Sequence, residues 1–232
     1  MSEGINESDA GQVAGQVAAK IRWEGDKLVV MLAGRPVAFR TTLYADDWFA
    51  REQCENDDET INLAMYYGEL AERLSEEDPS FYLKLGEEDA ALLHTIMASL
   101  IDAAFARAED AVSVEGATVV ASLSHSLRDQ TEEEVELDGK DVKGLQLASV
   151  KFRPLIAKDL IRSESAGSSS GDRTVRLFSG ITGLPEHQIR RLDLRDFAAL
   201  EAAFARVKKS PDRGALAMTR TWLVGQLIAG RT

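Results

Sequence analysis

LFSGITGLPEHQIRRLDLRDFAALEAAFARV, residues 177–207, holds two helical patterns separated by a turn. In the second pattern Leu192, Phe197, Leu200, Ala203, Phe204 and Val207 recur at three- and four-residue intervals, which puts them on one face of a helix that must be buried. Asp193 or Asp196 stands at or near its start, where a carboxylate can accept unpaired backbone N–H groups and offset the positive end of the helix dipole. Ahead of it, Gly183-Leu184-Pro185 ends one helix, and Pro185 suits the first turn of the next.

Working outward, Ser210-Pro211-Asp212 ends this helix and opens a final one over 213–229, with Leu216, Met218, Trp222, Leu223, Leu227 and Ile228 as its apolar positions. Upstream, VELDGKDVKGLQL places Asp138-Gly139 between Val135, Leu137 and Val142, a strong local hairpin signal. Phe152-Arg153-Pro154 then leads to a short helical start at Ala157 to Leu160. SESAGSSSGD, residues 163–172, reads as a flexible insert.

The first half offers the same elements in the same order. Leu28 to Leu32, Gly34 and Phe39 predict a hairpin or small meander, and Asp46-Asp47 marks a short helix from Trp48. Ile61, Leu63, Ala64, Tyr67, Leu70, Ala71 and Leu74 form an apolar stripe, and Asp78-Pro79 stops it. Glu87-Glu88-Asp89 then opens a long helix with Leu93, Ile96, Met97, Ile101 and Ala104 on its apolar face. Phe39-Arg40 before Ala45-Asp46 parallels Phe152-Arg153 before Asp159. Leu85, Asp89, Leu93 and Met97 parallel Leu192, Asp196, Leu200 and Phe204. The expected fold is therefore α+β, with two small related modules, each a β-hairpin or meander packed with two or three α-helices. The expected boundaries are a disordered tail over 1–18, a first module over 19–110, a linker over 111–132 and a second module over 133–232.

Residues 134–207 resemble the phage tail assembly chaperone (tail assembly protein) family. The resemblance rests on the Leu137-Asp138-Gly139-Lys140 turn, the segment from Pro154 to Leu160, the helical turn from Phe178 to Leu184, and Leu192, Asp196 and Leu200 after it. A diverged second copy would occupy 20–108. The resemblance implies a non-catalytic protein that binds the tape-measure protein, or other phage tail proteins, and keeps it soluble during tail assembly in the host cytoplasm. It leaves open whether the chain forms a homo-oligomer. The alternatives from other classes are a structural tail or baseplate component retained in the virion, and a small uncharacterised enzyme.

Composition narrows these classes. The chain has 232 residues and a net charge of -12, which argues against a general nucleic-acid binder. No apolar run approaches the roughly 20 residues that span a bilayer. The single cysteine, Cys54, excludes an internal disulfide and lies among Glu52, Glu55, Asp57 and Asp58, which oppose thiolate chemistry. His94, His125 and His187 show no metal-ligand spacing, and no phosphate-binding or nucleophile-elbow motif occurs. No catalytic, cofactor or metal residue is therefore assigned. Partner binding is assigned to Trp222 and Leu223 on the last amphipathic helix and to the cations Arg190 and Arg191. Residues 173–213 carry nine Lys or Arg against five Asp or Glu, and the favoured expectation is that these cations pair with the acidic half of the chain.

Overall fold

Ile21–Glu24 (β1), Lys27–Leu32 (β2) and Arg35–Arg40 (β3) pair antiparallel in the order β1-β2-β3. The computed structural model describes residues 18–56, 60–116, 118–127, 135–137, 140–142, 147–165 and 169–208. The chain divides between Ala106 and Arg107 into two units. In the first unit the sheet is followed by Ala45–Phe49 (α1), a 3-10 turn at Ala50–Cys54, Leu63–Leu74 (α2), Pro79–Tyr82 (α3) and Glu87–Phe105 (α4). In the second unit Val112–Glu115 (β4), Thr118–Leu127 (β5), Val135–Leu137 (β6), Lys140–Val142 (β7) and Leu147–Phe152 (β8) precede the helices. Those helices are Ala157–Glu164 (α5), Ser170–Thr182 (α6), Glu186–Arg190 (α7) and Leu194–Lys208 (α8). The α+β expectation holds.

Alternation decides which sheet face is buried. Val37 and Phe39 in β3 face the core while Pro36 and Ala38 face out, the period-two pattern of a sheet covered on one side. In the second unit β8 does the same with Val150 and Phe152. Phe152, Phe178 and Phe197 meet there, with ring centroids 6.3 and 5.7 Å apart along the chain of contacts. Burying each such ring contributes roughly 1.5–3 kcal/mol.

Three contacts recur in both units. First, the strand that ends the sheet closes with Phe-Arg, and the arginine forks onto an aspartate at the third position of the next short helix. Arg40 reaches both Asp47 oxygens at 3.0 and 2.8 Å, and Arg153 reaches both Asp159 oxygens at 2.8 and 2.6 Å. Second, the same carboxylate accepts the backbone N–H that precedes its helix, from Tyr44 to Asp47 at 2.8 Å and from Ile156 to Asp159 at 3.0 Å. Third, an aspartate at the third position of the long last helix crosses to the sheet. Asp89 accepts the Ala33 N–H at 2.8 Å, and Asp196 accepts the Ser124 N–H at 2.6 Å and its hydroxyl at 2.7 Å.

Asp89 was expected in the first turn of its helix and Asp193 or Asp196 at or near the start of the other, and both expectations hold. The start of α8 is capped by Asp193, whose side chain accepts the Arg195 N–H at 2.9 Å. Asp196 is 2% exposed and accepts two hydrogen bonds from Ser124 of β5.

The boundaries differ from expectation. Residues 111–132 were expected to be a linker, yet β4 and β5 lie within this range and supply two strands of the second sheet, ordered β4-β5-β8. Their polar alternation fits strands with one wet face. The Asp138-Gly139 hairpin forms as β6 and β7, a separate two-stranded pair. The insert expected at 163–172 is partly helical, because Ser163 ends a buried turn of α5 and Ser169 caps α6 by accepting the Asp172 N–H at 3.0 Å. The tail over 1–17 and the helix over 213–229 lie outside the described residues. The stripe on α2 is rotated from the expected one, burying Tyr66 and leaving Leu63 55% exposed. Glu87–Ala111 is long and apolar enough to cross a bilayer, a feature the sequence reading missed. Within the first unit, however, its α4 portion buries Leu92, Leu93, Ile96, Met97, Ile101 and Ala104, the pattern of a core helix.

The Arg153 fork is the largest influence holding the Asp159 carboxyl below the usual carboxylate range, and the Ala33 N–H is the largest for Asp89. A carboxylate depressed on folding stabilises the fold fully above its unfolded pKa of about 4, and that contribution is lost as pH falls toward the lower folded value. Asp159→Ala and Asp196→Ala should each lower unfolding stability at pH 7 by about 2–4 kcal/mol, measured by urea titration. For Asp159→Ala the gap from the parent chain should narrow between pH 5 and pH 3.

Candidate partner-binding surface

α5, α6 and α8 of the second unit enclose a groove of about 450 Å³. Its floor is apolar, formed by Leu177, Phe178, Phe204 and Ala205, and Ser163 and Thr174 add hydroxyls to the wall. Arg173 and Lys208 stand on it as cations, with Glu201 beside them. The Lys208 ammonium lies 4.4 Å from the centroid of the Phe204 ring, which fixes the charge over an apolar surface. The groove exists because the α6 residues facing the core are Val175, Phe178 and Ile181, so that Thr174 and Leu177 fall on the flank of the buried stripe. Next to it α5 leaves Leu160 and Ile161 exposed, at 38% and 69%. Such a surface suits binding of a partner.

The residues assigned to partner binding from sequence are not brought together by the described structure. Arg190 is half-buried and ion-pairs with Asp172, tying α7 to the first turn of α6. Arg191 follows it at the end of α7 and is exposed. Trp222 and Leu223 lie outside the described residues. Of the other tryptophans, Trp48 packs on Phe105 with centroids 5.0 Å apart and carries the Arg51 guanidinium 3.6 Å from its ring, whereas Trp23 is 66% exposed.

Pairing of the basic stretch is internal to the second unit in the bonds seen. Arg176 meets Glu186, Arg195 meets Asp193, and Arg206 meets Glu109 at 2.9 Å while donating to the Val112 carbonyl. These pairs are mostly exposed and individually contribute little. The groove cations escaped sequence reasoning because a lysine or arginine on a helix looks alike whether it rims a cleft or faces open water. One usable signal existed, since Leu177 is an apolar residue off the stripe that Val175, Phe178 and Ile181 define.

The chemistry-bearing side chains are occupied structurally. His94 is half-buried with its ring 5.5 Å from Tyr67, and His187 is exposed. The side chain of His125 lies outside the described residues. No group of three or more His, Cys, Asp or Glu among the described residues could hold a metal. Cys54 is buried, and its thiol points at a Glu69 oxygen 3.5 Å away. Burial first, and the Glu69 charge second, push the thiol up to about 11. The acidic neighbours in sequence therefore matter less than the helix packed over it.

Folded protein at pH 8 should react with a thiol-specific aromatic disulfide much more slowly than the urea-unfolded chain. A rate equal to that of a free thiol at pH 8 would contradict the burial of Cys54.

The family model described as "Phage tail assembly chaperone proteins, E, or 41 or 14" matches residues 129–209. No curated protein and no solved structure matches the chain. The matched span begins beyond β5 and runs through β6, β7, β8 and all four helices of the second unit, one residue past α8. It contains the Arg153–Asp159 fork, Asp196 and the whole groove, but not the Ser124 end of the Asp196 bond. Residues 129–209 are thus similar to the phage tail assembly chaperone family, which supports a role in tail assembly through interaction with phage tail proteins and suggests a protein that is not an enzyme.

Proposed function

We propose that this chain is a non-catalytic tail assembly chaperone that binds the tape-measure protein and keeps it soluble in the host cytoplasm while the tail is built. The family match over 129–209 carries the reading. The groove on the second unit supports it, because an open apolar floor with charged rims suits reversible binding of a helix. The net charge of -12 would keep a complex with an apolar partner in solution.

The same proposal takes the first unit as a diverged copy of the second, beyond the matched residues. Its support is a set of coincidences that packing alone does not require. One constant spacing carries Glu24 to Glu115, Gly25 to Gly116, Lys27 to Thr118 and Ala33 to Ser124. Gly25 and Gly116 each hold φ near +65°, a conformation open to glycine, in the turn between the first two strands. Ala33 and Ser124 each donate their N–H to the third residue of the last helix. The β6–β7 pair then reads as an extension of the hairpin that Ala33-Gly34 closes directly.

Co-expression with the cognate tape-measure protein should shift that protein from the insoluble to the soluble fraction and yield a complex on purification. No complex and no gain in solubility would overturn the reading. Detection of the chain in purified virions at structural stoichiometry would favour the tail or baseplate component instead.

A further inference from the structure

The two units differ at one place, and the difference concerns the groove. Aligning the helix starts, Asn62 with Ser169, sets Tyr66 against Arg173, Tyr67 against Thr174 and Leu70 against Leu177. On the last helices, Asp89 against Asp196 sets His94 against Glu201, Met97 against Phe204 and Ile101 against Lys208. In the first unit these positions close on themselves. Tyr66 and Leu70 are 2% and 0% exposed, Met97 and Ile101 are buried, and the Tyr67 ring meets His94. The Tyr66 hydroxyl also donates to the Asp47 carbonyl at 3.3 Å. In the second unit Arg173, Thr174, Glu201 and Lys208 stand where the first has Tyr66, Tyr67, His94 and Ile101, while Leu177 and Phe204 stay apolar, and the space between the helices stays open.

We infer that the second unit's groove is the docking site for one amphipathic helix of the tape-measure partner, with carboxylates flanking its apolar stripe, and that the first unit has lost this site by filling it. This rests on the function proposed above. Charge complementarity selects the occupant. Among the described residues neither Arg173 nor Lys208 has a carboxylate partner, whereas Arg153, Arg176, Arg190, Arg195 and Arg206 of the same unit each have one. Two unpaired cations over Leu177 and Phe204 fit a helix that offers Leu- or Ile-type side chains to the floor and Asp or Glu to the rim. A purely apolar helix would leave both cations without a counter-charge.

The test uses the full-length chain and the cognate tape-measure protein, with affinity read by calorimetry. Arg173→Glu combined with Lys208→Glu should weaken binding by about a hundredfold, roughly tenfold for each reversed cation. Arg173→Tyr with Thr174→Tyr, which copies the first unit, should abolish binding while circular dichroism and the melting temperature stay near those of the parent. Reversing the exposed cations Arg22 and Lys27 of the first unit should change affinity less than threefold. Unaltered binding by both groove variants, with the parent chain binding, overturns the groove assignment and leaves the chaperone reading standing. No binding by the parent chain overturns both. Groove amides that are protected from hydrogen exchange in the free chain, through self-association or through residues 209–232, assign the occupant to this protein itself and likewise overturn the proposal.

Discussion

A buried carboxylate that ties the last helix to the sheet sets the geometry of the second unit. Asp196 is almost wholly removed from water, and without the Ser124 N–H and hydroxyl its charge would be costly to bury. Because both bonds are to β5, α8 has one permitted depth and rotation over the sheet. That rotation directs Leu200 and Phe204 inward and carries Lys208 to the rim of the groove. Asp89 performs the same task in the first unit with a single backbone donor and the Lys20 ammonium at 3.1 Å.

The Arg–Asp forks act at the other end of each sheet. At Arg153 a bidentate guanidinium fixes the angle between the strand end and the helix that follows, since Nη1 and Nη2 each meet one Asp159 oxygen, whereas Arg40 meets both Asp47 oxygens through Nη2 alone. The same aspartate is satisfied by the N–H before its helix, so one side chain couples a strand end, a helix start and a loop. α5 is thereby held beside α6, leaving the cleft that opens toward α8. Function in this protein depends on which helix faces remain uncovered, and these contacts decide that.

The two units illustrate how one framework tolerates opposite surfaces. Framework residues such as Phe39 and Phe152 are buried to the same degree, whereas the residues between the helices diverge from Tyr66 to Arg173 and from Ile101 to Lys208. Filling a cleft with aromatic rings adds buried area and favours stability. Leaving it open forgoes that gain, a pattern found where a surface is kept for binding.

Much of this was legible in the chain. Hydrophobic spacing located α4 and α8, Gly183 ended α6 with φ of 79°, and the Asp138-Gly139 hairpin and the Phe-Arg pairs stood out in local sequence. Local rules suffice for such features because their causes lie within four or five residues. Sequence alone missed that Asp47 meets Arg40 and that Asp196 turns from its own helix to β5. In each case the deciding partner is distant or the choice is between adjacent residues of the same type, and only packing tells them apart. The groove belongs to this second class. The sequence by itself determined two α+β units and the chaperone-like pattern of the second, since periodicity and turn chemistry are written locally. Which cations stand over an apolar floor was decided by the tertiary structure, because a cleft is made by three helices and belongs to none of them.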